Sequence, residues 1–205
     1  MITAYFFAMV GKKQRRRLYP ARVHVHISEN ISSLGYKSMW KGLFGLKRVK
    51  LQMLVFVMLL SADQLSKWWI EQQYPFFQLV VIDGFFNLVK AHNFGVAFSM
   101  FADWGHAWRT NLLLGLTCSI AVVVSIWWSK EVRKDHGESW LLMLVLVGAA
   151  GNIWDRFTLG YVVDFIDWYV VYNGEALHWP AFNIADSCIF VAVVLLLIRS
   201  FKPAR

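Results

Sequence analysis

Four aspartates, Asp63, Asp155, Asp164 and Asp186, stand inside or at the ends of segments otherwise apolar enough to enter a lipid bilayer. A carboxylate at the centre of a membrane helix costs roughly 2.5–3.5 kcal/mol on insertion scales. Such residues persist where they pair, line a wet cavity or do chemistry. The chain therefore reads as a membrane protein with a buried acidic site. The acids either cut, carry ions or hold helices together.

Composition supports the membrane reading. Of 205 residues, 58% are hydrophobic and 17% charged, against about 45–50% and about 25% in an ordinary soluble domain. The length suits one domain. The net charge of +8 is unevenly spread, because eleven of the 21 Lys and Arg residues precede Leu51. Residues 1–50 are read as a basic cytoplasmic arm, partly disordered and touching anionic headgroups. Residues 51–205 are read as a four-helix transmembrane domain. No nucleic-acid partner is expected from the arm. Met1–Val10 is apolar, but the Lys12–Arg17 cluster follows it, which is the wrong order for a secretory signal. Met39 precedes a short basic stretch and a long apolar run, so the natural start is expected at or near Met39. Cys118 and Cys188 lie in apolar helical runs and are read as small core or lipid-facing residues without a disulfide.

Four spans are expected: Leu51–Ile70, Asn111–Trp128 with a start a few residues earlier, Trp140–Trp154, and Ile184–Ile198 with Asn183 as its N-cap. Lys and Arg in the flanks set the orientation. The loop Ser129–Ser139 holds Lys130, Arg133 and Lys134, and the tail holds Arg199, Lys202 and Arg205. The other two connections hold only Lys90 and Arg109. Both termini are thus expected in the cytoplasm and both long connections outside. These connections read as hairpins. One is Gln78–Ile82, Asp83-Gly84, Phe85–Lys90; the other is Tyr161–Tyr172, Asn173-Gly174, Ala176–Trp179. The expected fold class is a mainly α membrane protein, four transmembrane helices with a small β-structure on the outer face.

The polar residues gather at the outer ends of these spans. Asp63 and Lys67, at i and i+4, share a helix face and read first as an ion pair that lets both charges enter the membrane. Asn152 and Asp155 share a face at i and i+3. Asp155 and Arg156 are placed to pair with neighbouring helices. Gly148 and Gly151 form a small-residue patch that admits a close helix. Asn93 and Gly95 lie in His92-Asn-Phe-Gly-Val-Ala-Phe-Ser99, read as a turn between apolar strands. Asp164 sits in the apolar Val162-Val-Asp-Phe165 with no cation near in sequence. Asp186 lies in the first turn of the last span, where the helix N-terminus favours negative charge.

If the second hairpin folds back on the last span, Asp164 and Asp186 meet. Two close carboxylates do not both ionise easily, so one keeps a proton and the pair supplies a general base and a general acid. The spacing alone leaves the simpler alternative open, with Asp186 a first-turn charge and Asp164 a turn acid. Other chemistries are poorly served. There is no HExxH or GxSxG, the six histidines lack ligand spacing, and no phosphate-binding glycine loop occurs. No metal or cofactor is implied. His24 and His26 are read as incidental, and His92 as a hydrogen-bonding turn residue.

Taken together, Asp63-Gln-Leu-Ser-Lys67, Asn93-Phe-Gly-Val-Ala-Phe-Ser99, Gly151-Asn-Ile-Trp-Asp-Arg156, Val162-Val-Asp-Phe165 and Phe182-Asn-Ile-Ala-Asp186 closely resemble the lipoprotein signal peptidases (signal peptidase II). The resemblance spans roughly Leu51–Lys202 and leaves the arm before Met39 without a counterpart. Val147 departs from the pattern, since many members carry a second glycine there, which is expected to loosen one helix contact.

The resemblance implies an aspartic endopeptidase of the bacterial inner membrane. It would remove signal peptides from prolipoproteins, cutting just before a diacylglyceryl-modified cysteine. It also implies catalytic roles for Asp164 and Asp186. Asn93, Asn152, Arg156 and Asn183 would line or support the pocket, with Gly95 and Asp155 in the same motifs. Asp63 and Lys67 would be structural or substrate-positioning. Sensitivity to the cyclic peptide globomycin is implied, and a monomer is expected. The rivals are an ion- or proton-coupled carrier using the acids as a relay and a structural scaffold subunit. Acids at one surface suit the carrier poorly, and the scaffold leaves Asp164 unexplained.

Overall fold

The structure, a computed structural model, describes residues 25–95, 106–134 and 137–201. Residues 1–24, with all of the basic arm's first cluster Lys12–Arg17 and His24, lie outside the described residues, as do 96–105, 135–136 and the tail from Lys202. The chain divides into two units, Met1–Lys41 and Gly42–Arg205. The element order is α1 (Val25–Glu71), β1 (Gln78–Ile82), β2 (Phe86–Asn93), α2 (His106–Glu131), α3 (Glu138–Thr158), β3 (Val162–Tyr172), β4 (Glu175–His178) and α4 (Ile184–Ser200).

Among the described residues three helical stretches are long and apolar enough to cross a membrane: Gly45–Glu71, Thr110–Glu131 and Glu138–Thr158. They contain the first three expected spans and extend each by a few residues. The fourth, α4, has 17 residues, the lower limit for a bilayer core of about 30 Å. Its side chains are nonetheless almost all aliphatic or aromatic after the first turn.

Packing centres on α3, which lies against both α2 and α4. Met143 and Val147 of α3 bury against Cys188 of α4, with Val55, Phe56 and Leu59 of α1 around them. Val147, where a looser contact was expected, is fully buried in this cluster. Gly148 explains the close approach of α4. A side chain there would run into the Ala185 carbonyl oxygen and Ile189. The outward faces remain strongly apolar, with Leu54, Val57, Met58, Leu116, Val122, Val123, Phe190 and Leu197 exposed. Contiguous exposed surface of this kind marks a lipid or protein contact.

The four strands form one antiparallel sheet in the order β1-β2-β3-β4. Both expected hairpins are present. Gly84 takes φ +75, and Asn173 and Gly174 take φ 50 and 80, the pair of positive φ values that a tight two-residue hairpin turn demands. Boundaries differ in informative ways. Phe85 belongs to the turn, and β2 continues past Lys90 to Asn93 because it pairs to its end with β3. Asn93 is therefore the last strand residue, not a turn residue, and the turn begins at Phe94-Gly95. Trp179 falls outside β4.

Strand β3 is the spine of the site. Residues Val162–Trp168 pair with β2, and Tyr169–Tyr172 pair with β4 further along. Val163 and Phe165 pack on Ile70 at the end of α1, while Asp164, by the two-residue alternation of a strand, faces the other way. Residues Phe182 and Ile166 then exchange backbone hydrogen bonds at 2.8 and 3.0 Å. That bridge carries the chain from the second hairpin back across β3 immediately before α4 begins.

Candidate active site

The Ile166–Phe182 bridge leaves Asn183 to start α4. Its backbone is extended and its side-chain oxygen accepts the Asp186 N–H at 2.8 Å, a helix N-cap. The same amide donates through Nδ2 to Asp164 Oδ1 at 2.7 Å. One fully buried asparagine thus touches both acids of the expected pair. Asp164 takes a second amide bond, from Asn93 Nδ2 to Oδ2 at 2.9 Å. Asp186 Oδ1 accepts from Asn152 Nδ2 at 2.7 Å. The fold-back on which the pairing depended is therefore present.

Burial and the neighbouring Asp186 charge raise the Asp164 carboxyl from 3.8 to about 7, against the opposing pull of the Asn93 and Asn183 amides and the Lys67 charge. Near neutral pH this acid holds a proton for much of the time. That is the state in which one carboxyl of a close pair donates while the other accepts.

Beneath the acids lies a buried ionic cluster. Lys67 Nζ is 2.9 Å from both Asp63 Oδ2 and Asp155 Oδ2 and donates to Asn152 Oδ1 at 3.2 Å. The Asp63–Lys67 pair expected from i, i+4 spacing is thus present but incomplete, since Asp155 from α3 closes it. Gln64, which the sequence did not single out, donates to Asp63 and Asp155 at 3.1 and 3.0 Å. Asp63 and Asp155 also reach the backbone beside the acid pair. Asp63 Oδ1 accepts from Ala185 N at 2.8 Å, and Asp155 Oδ2 from Val163 N at 3.2 Å. Each bond fixes the residue just before one acid of the pair. Gly151 makes room for this, since a side chain there would lie 2.5 Å from Asp63 Oδ2. Among the described residues Arg156 forms no bond to a neighbouring helix. It donates to the Asn152 carbonyl at 3.4 Å and lies in electrostatic reach of Asp186, Asp164 and Asp155. Gly95, at φ +77, donates its N–H to Asn93 Oδ1 at 2.7 Å. Residues Val96–Ser99 of that motif lie outside the described residues.

Two further polar groups support the sheet. Glu71 meets His92 Nε2 at 3.1 Å, the Tyr161 hydroxyl at 3.0 Å and Lys90, whose ammonium also donates to the Glu71 carbonyl at 2.7 Å. His92 is a strand residue stacked on Tyr161 at 4.1 Å, correcting its assignment to a turn. Asp167, near-buried, joins Asn87 of β2 at 3.0 Å and His178 of β4 at 2.8 Å. Asp167 is, like Asp164, an acid in an apolar strand, but the sequence reading did not single it out. Beside Asp186 opens a cavity of about 600 Å³ lined by Trp168, Trp179, Phe182, Ser187, Phe190 and Val191. Apart from Asp186 and Ser187 its walls are apolar. Among the described residues no cluster of three or more His, Cys, Asp or Glu has metal-binding geometry.

Comparison with known proteins agrees with this geometry. Residues 55–202 match the family model of signal peptidase (SPase) II. A lipoprotein signal peptidase of Shewanella amazonensis is 38% identical over 150 residues, covering 73% of this chain and 86% of the relative. One from Alteromonas mediterranea is 36% identical over 159 residues, covering 77% and 82%. Two solved bacterial membrane enzymes, determined by the in meso method at 2.3 and 1.9 Å, superpose with TM-scores of 0.58 and 0.60. They are 25% and 27% identical and cover 77% and 76% of this chain, and 94% and 96% of their own. The carrier alternative has no support among these relatives.

Proposed function

The chain belongs to the signal peptidase II family, and from that premise we propose that Asp164 and Asp186 are the catalytic pair of a bacterial membrane aspartic endopeptidase. The enzyme removes signal peptides from prolipoproteins. The observation that carries the site assignment is the Asn183 bridge, which holds the two acids on one amide at the tip of α4.

The chemistry requires no group beyond these acids and water. One carboxylate takes a proton from water as the oxygen attacks the scissile carbonyl carbon. The protonated partner gives its proton to the carbonyl oxygen. Collapse of the tetrahedral diol re-forms the C=O and breaks the C–N bond. The leaving amine takes a proton from the acid that accepted one, a diol hydroxyl returns its proton to the carboxylate that gave one, and the pair is again singly protonated. Arg156, near both carboxyls, balances their charge. Asn93, Asn152 and Asn183 hold them by amide bonds, Gly95 orients Asn93, and Asp63, Lys67 and Asp155 brace the backbone on either side.

The substrate is a prolipoprotein cut before its diacylglyceryl-modified cysteine. The apolar cavity beside Asp186 suits a lipid-bearing substrate. The helix α4 acts as a fourth span, with the acids and sheet at the outer, periplasmic surface of the inner membrane and both termini cytoplasmic. The flanking basic residues favour that orientation. Exposed Trp168, Tyr172 and Trp179 suit a sheet resting on lipid headgroups. Residues 51–205 form the peptidase domain, working as a monomer and inhibited by globomycin, with 1–50 a basic arm.

The test is incubation of the purified protein with a lipidated prolipoprotein peptide, with and without globomycin. Cleavage before the lipidated cysteine, blocked by the inhibitor, is expected. Asp164→Asn and Asp186→Asn should each lose about 10²–10⁴-fold in turnover, as expected for lost acid–base catalysis, while remaining folded. Near-normal turnover by either purified variant overturns the pair.

A further inference from the structure

We propose that Glu71 is a positioning residue for the cleavage reaction. It clamps the end of β2 against the start of β3 on the face of the sheet away from the acids, and so holds Asn93 on Asp164 at the other face. This rests on the catalytic reading of Asp164 and Asp186 and adds a residue to the machinery that serves them.

The need for a clamp follows from the sheet. Strand β1 pairs with β2 only as far as Val89, so Ala91, His92 and Asn93 are held from one side, by β3. A strand end paired on one side opens more readily than a strand paired on both. His92 and Asn93 are also exposed. Yet Asn93 Nδ2 has to stay on Asp164 Oδ2, at 2.9 Å, and Asp164 is buried. The Gly95 N–H steadies the Asn93 oxygen at 2.7 Å, but that bond lies within the same strand end and does not tie it to the body of the protein.

Glu71 supplies the tie. Strand alternation puts Ala91 and Asn93 on the Asp164 face and His92, opposite Val163, on the other. That other face packs on the end of α1, where Ile70 clusters with Val163, Phe165 and Tyr161. There the Glu71 carboxylate takes one residue from each side of the strand pair. Its Oε2 accepts from His92 Nε2 at 3.1 Å and its Oε1 from the Tyr161 hydroxyl at 3.0 Å. A carboxylate only accepts, so both partners donate. The two rings stack at 4.1 Å, and the Phe94 ring lies 5.4 Å from Tyr161. Lys90 closes the clamp. Its Nζ donates to the Glu71 and Gln73 carbonyls at 2.7 and 3.1 Å and sits 3.6 Å from the Glu71 carboxylate. The end of β2 is thus fastened to the end of α1.

The place of Glu71 in α1 explains why it serves this site. Asp63, Lys67 and Glu71 follow at four-residue steps and share a helix face. Asp63 bonds Ala185 N beside Asp186, Lys67 bonds Asp155 and Asn152 of α3, and Glu71 bonds the residues flanking Asn93 and Val162. Without the clamp, Asn93 drifts and a buried Asp164 oxygen loses its donor. The cavity beside Asp186 is lined from β3, α4 and the segment between β4 and α4. Loosening the clamp should therefore spare substrate binding and act on turnover.

The experiment measures kcat and KM separately for lipidated prolipoprotein peptide cleavage by the full-length protein, with folded fraction followed by size exclusion. In Glu71→Ala kcat should fall about 10–10²-fold, as for a misplaced reacting group, with KM little changed. Glu71→Gln keeps an acceptor for Tyr161 and a donor for the other tautomer of His92, and should restore most of the rate. Asn93→Ala should be slowed at least as much as Glu71→Ala. Adding Glu71→Ala to it should slow it no further, because both act through one bond. Wild-type kcat in folded Glu71→Ala overturns the proposal, as does a loss confined to KM. So do a Glu71→Gln variant as slow as Glu71→Ala, a wild-type rate in Asn93→Ala, and additive losses in the double variant. If Glu71→Ala does not accumulate, His92→Ala takes its place, with His92→Gln as the conservative variant, and the same outcomes decide. If Asn93→Ala has no measurable rate, the split between kcat and KM and the recovery in the conservative variant decide. Full activity in Asp164→Asn or Asp186→Asn would instead remove the catalytic pair itself, a separate result.

Discussion

Three asparagines decide what the two acids can do. Each amide is gripped at its oxygen by a group that only donates, and each turns its NH2 to a carboxyl. Fixed dipoles of this kind need no rearrangement when charge moves during reaction. The cost falls on Asp164, whose carboxyl is raised to about 7 chiefly by burial. A folded-state value above the unfolded one favours the neutral acid. The resulting stability is fully present below about pH 4 and is lost as pH rises through about 7. Asn cannot ionise and escapes that loss. Asp164→Asn should therefore gain in thermal midpoint relative to wild type between pH 4 and pH 8, measured in detergent. A midpoint difference that stays constant over that range would contradict the raised value.

At the level of elements, the site exists because α4 can approach α3 and β3 together. The bridge at Phe182 brings the chain to β3, and the absence of a side chain at Gly148 lets the first turn of α4 settle on α3. Gly148→Val should force α4 away from the Ala185 carbonyl, costing about 1–3 kcal/mol as overpacking commonly does. It should also reduce cleavage, because Asp186 rides on the same turn. Gly115→Ala on α2 has open space around the new methyl and should leave both unchanged or slightly improve stability. Equal losses in the two variants, in a thermal melt and a cleavage assay, would count against this account. The helix faces and both hairpins were legible from apolar runs and from Asp83-Gly84 and Asn173-Gly174. The true end of β2 was not, because pairing with β3 some seventy residues later extends it through His92 and Asn93.

Across the molecule, the two ends of the helical bundle are tied by different chemistry. At the site end the tie is ionic, through Lys67. Toward the other end, fully buried Gln52 of α1 donates to Ser139 of α3 at 2.9 Å and accepts from Trp128 of α2 at 2.9 Å. One amide thus joins three helices. Eleven residues separate Gln52 from Asp63, about 16 Å along a helix. Gln52→Leu removes the acceptor for Trp128 and should cost about 1–3 kcal/mol. At that distance the pH dependence of cleavage should not move. A shifted pH profile in this variant would show that the two ends are coupled. Neither Gln52 nor Asp167 stood out in the sequence as part of a site, since their partners lie many residues away on other elements.

From sequence alone came the membrane character, the four helices, the two hairpins, the family and the acids themselves. These follow from local chemistry: an apolar run long enough to cross lipid, a turn dipeptide with positive φ, and a carboxylate too costly to bury without purpose. Tertiary structure decided which acids meet, that Lys67 serves two aspartates and an asparagine rather than one partner, and which way each amide faces. Those are relations between α1, α3, β3 and α4, and no spacing within one element specifies a donor arriving from another.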